Sequence, residues 1–124
     1  MTGVDEAANR LESMSGLEEA ILTDLTTRNF GYSVDILFVI PVGAASGTGH
    51  ERKVRIELDG VHRLLLQGGL TEQMVGSPES INWGLGEVAL VRIGQEGDHA
   101  GIEVLWEGDR KIEAISQAVT IVEI

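Results

Sequence analysis

Residues 52–67 read RKVRIELDGVHRLLLQ. From Arg52 to Asp59, apolar and charged side chains alternate one by one. Val54, Ile56 and Leu58 share one face, and Lys53, Arg55, Glu57 and Asp59 share the other. A period of two is the signature of a strand with one wet face, because successive side chains of extended backbone point to opposite sides. Asp59-Gly60 follows, a pair suited to the positive φ angles of a tight turn. The stretch therefore predicts a β-hairpin, with Val61–Gln67 as the returning strand.

The flanking segments repeat the pattern. In Ser33–Val42, SVDILFVIPV, residues Val34, Ile36, Phe38 and Ile40 share one face. Leu37 and Val39 make the other face apolar as well, which predicts a central strand. Gly86–Gly94 and Ala100–Glu107 read as strands. Lys111–Ile124 alternates in two pieces, KIEAI and AVTIVEI. The segments Asn29–Tyr32, Gly43–His50, Gly68-Gly69, Gln95–His99 and Gly108-Asp109 have the composition of turns. Leu70–Trp83 carries no clear period and reads as a connection.

Ahead of the strands, VDEAANRLESM predicts a helix. Asp5 and Glu6 suit its N-terminus, and Val4, Ala7, Ala8, Leu11 and Met14 form one apolar stripe. Ser15-Gly16 ends it. From Leu17 the pattern is mixed, and a short helix or turn giving way to a strand near Ile21 is expected. The fold class is thus mostly β (α+β): about seven antiparallel strands, folded as a sandwich or a strongly curved half-barrel, behind an N-terminal helix. The absence of a strand–helix rhythm argues against a parallel α/β sheet. One domain is expected over 1–124, with the helix in 1–16 and the β domain in 20–124.

Composition agrees. The chain has 124 residues, 16 of them glycine against two proline, and only 4% are aromatic, so Ile, Leu and Val must supply the core. Without cysteine there is no disulfide framework, thiolate metal site or thiol nucleophile. At 43% apolar and 23% charged residues the chain is too hydrophobic to be disordered. The acidic N-terminus does not resemble a secretory signal, and ILFVIPVGAA is too short to span a bilayer. A soluble, cytoplasmic protein is expected.

The formal net charge is −11. It disfavours binding to nucleic acid or to an anionic membrane. Its distribution is uneven. Residues 1–27 hold six acids and one base, 28–71 four acids and five bases, and 72–124 ten acids and three bases. Arg52, Lys53, Arg55 and Arg63 form a slightly basic island between two acidic ends.

No reaction chemistry stands out. GLGEVA, residues 84–89, matches a dinucleotide-binding string but leads into a strand instead of a helix. GAASGTGH lacks the Lys-Ser/Thr pair of a phosphate loop, and Ser46 lacks the flanks of a nucleophile elbow. His50, His62 and His99 show no ligand spacing and read as turn and surface residues. Trp106 is expected in the core, and Trp83 is an interface candidate. No catalytic residue, cofactor or metal is expected.

Leu22-Thr23-Asp24, the charged strand Val54–Leu66, Ile81-Asn82-Trp83 and the closing Ile112–Val122 together resemble the immunity protein 50 group of bacterial polymorphic-toxin systems and its uncharacterised relatives. The pattern covers most of the chain after residue 20. Thr23 stands where relatives often carry a histidine before the aspartate. The resemblance implies a small α+β or mostly β protein that neutralises a cognate toxin by binding it. Immunity proteins of nuclease toxins are often acidic, which suits a basic partner.

The leading expectation is therefore a non-enzymatic binding protein that meets a basic partner, such as a toxin domain, through an acidic surface. The candidate contact residues are the turn acids Glu96, Asp98, Glu107 and Asp109, with Asp24. The alternative is a structural or accessory domain that self-associates as a homodimer, because SVDILFVIPV needs cover on both faces. A small hydrolase or lipid carrier with a pocket inside the sheet is a third class, disfavoured by the lack of a polar constellation.

Overall fold

The computed structural model describes residues 2–42, 50–68, 76, 87–106 and 109–124. Helix α1 (Val4–Ser13) leads through a 3₁₀ turn (Ser15–Leu17) into six strands: β1 (Ile21–Arg28), β2 (Ser33–Ile40), β3 (Arg52–Gln67), β4 (Val88–Glu96), β5 (His99–Trp106) and β6 (Lys111–Glu123). They form one antiparallel sheet in the order β1-β2-β3-β6-β5-β4. The sheet is bent but does not close into a barrel. Its two edges touch at one place, where Glu19 N–H donates to the Val88 carbonyl and Val88 N–H donates to that of Ala20.

One expected turn is absent, and this reduces about seven strands to the six described. Asp59-Gly60 is not a hairpin: β3 runs through it for 16 residues. KIEAI and AVTIVEI likewise belong to one 13-residue strand, β6. The two long strands pair with each other and hold the sheet together. The first half of β3 lies between β2 and the second half of β6. Its second half pairs with the first half of β6, which β5 flanks on the other side.

The inward-facing pattern slips where these halves meet. Buried positions in β3 are Val54, Ile56 and Leu58, after which Val61 and Leu64 pack against the core. Buried positions in β6 are Ile112, Ala114 and Ser116, then Val119 and Ile121. Leu58 pairs with Val119 and Val61 with Ser116, so both strands skip at the same level. Gly60 makes the skip in β3 with φ at +64°, a left-handed angle costly for any residue with a Cβ. The same property that suits glycine to a hairpin here turns a corner within a strand. A register shift follows between Val61 and Arg63, a bulge that sets both His62 and Arg63 against Ile115.

The core fills the concave face. Val34, Ile36, Phe38 and Ile40 of β2, Ile102, Val104 and Trp106 of β5, and Ile112 of β6 are all buried. Helix α1 covers them with the expected stripe, burying Val4, Ala7, Leu11 and Met14 against β6 and β4. Leu17 ends the 3₁₀ turn fully buried with φ at +56°. Burial of a leucine, about 1.5–3 kcal/mol, offsets the backbone strain there. The segment after it becomes β1, as the lean toward a strand near Ile21 anticipated.

Gly60→Ala should destabilise the protein by about 1–2 kcal/mol in urea unfolding, the cost of a left-handed residue with a Cβ. The new Cβ would also lie 2.6 Å from the Gln117 side chain. That side chain is exposed and accepts only a long, 3.4 Å hydrogen bond from the Tyr32 hydroxyl, so it can yield at little cost. Adding Gln117→Ala should therefore recover only a minor part of the loss. Full recovery would mean that crowding, and not the φ angle, sets the requirement for glycine.

Candidate functional site

The convex face of the sheet carries the charge, and it is arranged with care. Asp35 pairs directly with Glu57 across β2 and β3, and Glu103 with Glu113 across β5 and β6. Like charges in such positions repel. Each carboxylate has its own cation. Arg28 meets Asp35 at 2.7 Å and Arg55 meets Glu57 at 2.8 Å. Arg92 lies 3.7 Å from Glu103, and Lys111 lies 2.7 Å from Glu113. The Lys111 hydrogen bond, helped by the charges of Lys111 and Arg63, holds the Glu113 carboxyl below its ordinary value against the desolvation that would raise it.

Beside this row, Gly94 pairs with Gly101. The missing side chains leave a shallow concavity of about 480 Å³ bordered by Arg92, Glu96, Glu103, Glu113 and Ile115. The Glu96 side chain folds over Gly101, so close that a Cβ there would lie 2.5 Å from its Cγ.

A second concavity lies at the start of α1, lined by Thr2, Gly3, Val4, Asp5, Glu6, Gln95 and Asp98. Two contacts hold it together: the Thr2 hydroxyl donates to Gln95 Oε1 at 2.9 Å, and Val119 N–H donates to the Thr2 carbonyl at 2.9 Å. Gly3 passes so close that a Cβ would lie 2.6 Å from the Val119 carbonyl oxygen. The acidic first turn of the helix is thereby pinned beside the β4–β5 turn. Asp5 and Asp98 form no ion pair among the described residues, and Glu6 reaches Arg10 only at 3.8 Å between exposed side chains.

The five expected contact residues do not form one group. Glu96 and Asp98 are exposed on either side of Gly97 in the β4–β5 turn. Asp109 is exposed beyond the other end of β5, a strand of eight residues. At about 3.4 Å per residue that separates them by roughly 25 Å. Asp24 is exposed on β1, the opposite edge of the sheet. Glu107 lies outside the described residues, as do Trp83 and residues 43–49 of the glycine-rich string. Of GLGEVA, Val88-Ala89 begins β4. Trp106 is in the core at 4% exposure, with the Arg110 guanidinium 5.9 Å from its ring.

Two members of the basic island, Arg52 and Arg55, are drawn into ion pairs. Arg52 binds Glu123 through two hydrogen bonds of 2.8 and 2.7 Å. They hold the Glu123 carboxyl below its ordinary value and raise the guanidinium. Two features were invisible in the sequence. Asp5 and Glu6 join Asp98 across more than 90 residues, and two of the three histidines, His62 and His99, come into contact. Among the described residues no group of three or more metal-ligating side chains gathers, and no helix is long and apolar enough to cross a membrane.

The arrangement belongs to an open, six-stranded antiparallel β protein with one N-terminal helix. No family model matches the sequence, and no curated protein matches it. Among solved structures, the chain is similar to an uncharacterized protein from Neisseria gonorrhoeae, with a TM-score of 0.63 and 10% identity. The similarity covers 84% of this chain and 90% of that one. At that identity the likeness establishes a shared fold.

Glu123 contributes stability that is present above its unfolded value and is lost as pH falls through its lowered folded value. Because the pair is partly exposed, Glu123→Gln should cost less than about 1 kcal/mol at pH 7. The cost should vanish once acid has protonated Glu123 in the parent protein. Urea midpoints measured from pH 7 to pH 3 should converge. A constant gap would mean that the pair does not set the shift.

Proposed function

We propose that this chain is a non-enzymatic binding protein that engages a basic protein partner through the acidic corner where α1 meets the β4–β5 turn. The observation that carries this reading is the joining of the two acidic chain ends at Asp5, Glu6 and Asp98 around one concavity. Glu96 stands just across Gly97. Few cations compensate them, and they sit on a helix and a hairpin that the sheet holds rigid. Such a fixed negative field speeds association with a cationic surface and selects against anionic ones. In the immunity-protein reading, implied by the sequence resemblance, the partner is a cognate toxin domain whose basic active site the corner occludes.

A triple variant, Asp5→Asn, Glu6→Gln and Asp98→Asn, removes three charges without changing shape. The test partner is a purified basic protein domain, taken from a toxin-like reading frame beside this chain's gene if the locus carries one. Neutralisation should slow association about tenfold at low ionic strength and flatten its salt dependence. Association that ignores both the substitutions and the salt would overturn the reading. The control Asp109→Asn, at the far end of β5, should leave the rate nearly unchanged.

A second reading rests on a different observation. Leu37 and Val39 on the convex face of β2 are only half-buried, and Leu90 on the edge strand β4 is 40% exposed. An edge strand with an exposed apolar residue is a template for self-association. Sedimentation that shows a dimer at micromolar concentration, dispersed by Leu90→Lys, would favour that alternative over the acidic corner.

A further inference from the structure

We propose that His62 and His99 form a two-histidine site for a first-row transition-metal cation of the imidazole-binding class, Cu²⁺, Ni²⁺ or Zn²⁺. Their Nε2 atoms lie 3.1 Å apart, with ring centroids at 4.3 Å and ring planes at 79°. Two nitrogens bound to one ion at about 2.0–2.1 Å lie about 2.9 Å apart at a square-planar cis angle and about 3.3 Å apart at a tetrahedral one. The observed separation falls between the two. Without metal, one ring donates an N–H to the other through the same atoms. On binding, the donor ring gives up its Nε2 proton to solvent and takes one up at Nδ1, so that both Nε2 lone pairs are open to the cation.

The backbone prepares this meeting. His62 sits in the β3 bulge, which turns it and Arg63 together onto the convex face against Ile115. His99 opens β5 directly after the Gly97 turn, on the same face as Gly101, which also pairs with Ile115. The two side chains thus reach toward each other across β6, from strands and not from free loops. Ligands on rigid elements lose little entropy on binding.

The local charge is mixed but favourable. Asp98 adjoins His99, and Glu96 is its partner across the hairpin. Arg63 adjoins His62 and opposes a cation. The whole chain carries −11, which raises the local concentration of any divalent ion. Two protein ligands leave the other positions to water, so exchange should be fast and binding weaker than in a closed four-ligand site.

The test is calorimetric titration of the full chain with Zn²⁺, Ni²⁺ and Cu²⁺ in a non-chelating buffer. One saturable site per chain is expected, tighter than the diffuse binding to carboxylates. His62→Ala and His99→Ala should each weaken it at least about tenfold, while His50→Ala should not. Excess Mg²⁺, which prefers oxygen ligands, should not compete, whereas diffuse binding to carboxylates would yield to it. Thermal melts without metal check that the variants fold. Should His99→Ala fail that check, His62→Gln and nuclear magnetic resonance decide the question. Substoichiometric Cu²⁺ should broaden the ring signals of His62 and His99 before that of His50. Binding that survives both histidine substitutions, uniform broadening of all three rings, or no binding at millimolar metal would overturn the proposal.

Discussion

The pairing of β3 with β6 is the interaction on which the rest depends. They pair along their whole length, and each has a second neighbour along only its first half, β2 beside β3 and β5 beside β6. The sheet wraps around one core only because the inward pattern slips by a residue at the same level in both. Gly60 permits this in β3 by adopting a left-handed angle at little cost. In β6 the slip falls at Gln117-Ala118, where the Ser116 hydroxyl donates to the Ala118 carbonyl. Without the corner, the apolar faces of the two halves could not meet beneath α1.

The same corner arranges the surface. The bulge just past Gly60 carries His62 onto the convex face, and β6 supplies the platform that His99 spans from the other side. On the concave side, Val119 receives the N-terminal strap at Thr2 and Gly3, so the first turn of α1 sits at the β4–β5 turn. The acidic corner and the histidine pair are therefore consequences of one piece of sheet geometry, although each serves a different chemistry.

Much of the architecture was legible because local periodicity is a direct record of burial. The alternation in Arg52–Asp59, the stripe from Val4 to Met14 and the two apolar faces of β2 were each read correctly. Reading Asp59-Gly60 as a hairpin failed for a specific reason. A left-handed glycine serves a two-residue turn and a strand corner equally well, and the choice lies in the partner strand. The candidate contact residues fared similarly. Exposure of the turn acids follows from their type, but β5 holds Asp98 and Asp109 at opposite ends, and only the folded chain brings Asp5 to Asp98.

The sequence by itself determined a mostly β fold with one amphipathic N-terminal helix, an Ile/Leu/Val core and a net charge of −11, because these follow from composition and from short-range pattern. Tertiary structure alone decided that six strands form one bent sheet, that the acidic chain ends share a corner, and that His62 faces His99. Those depend on strand order and register over tens of residues. A shift of one residue in that register would turn each of these side chains to the opposite face.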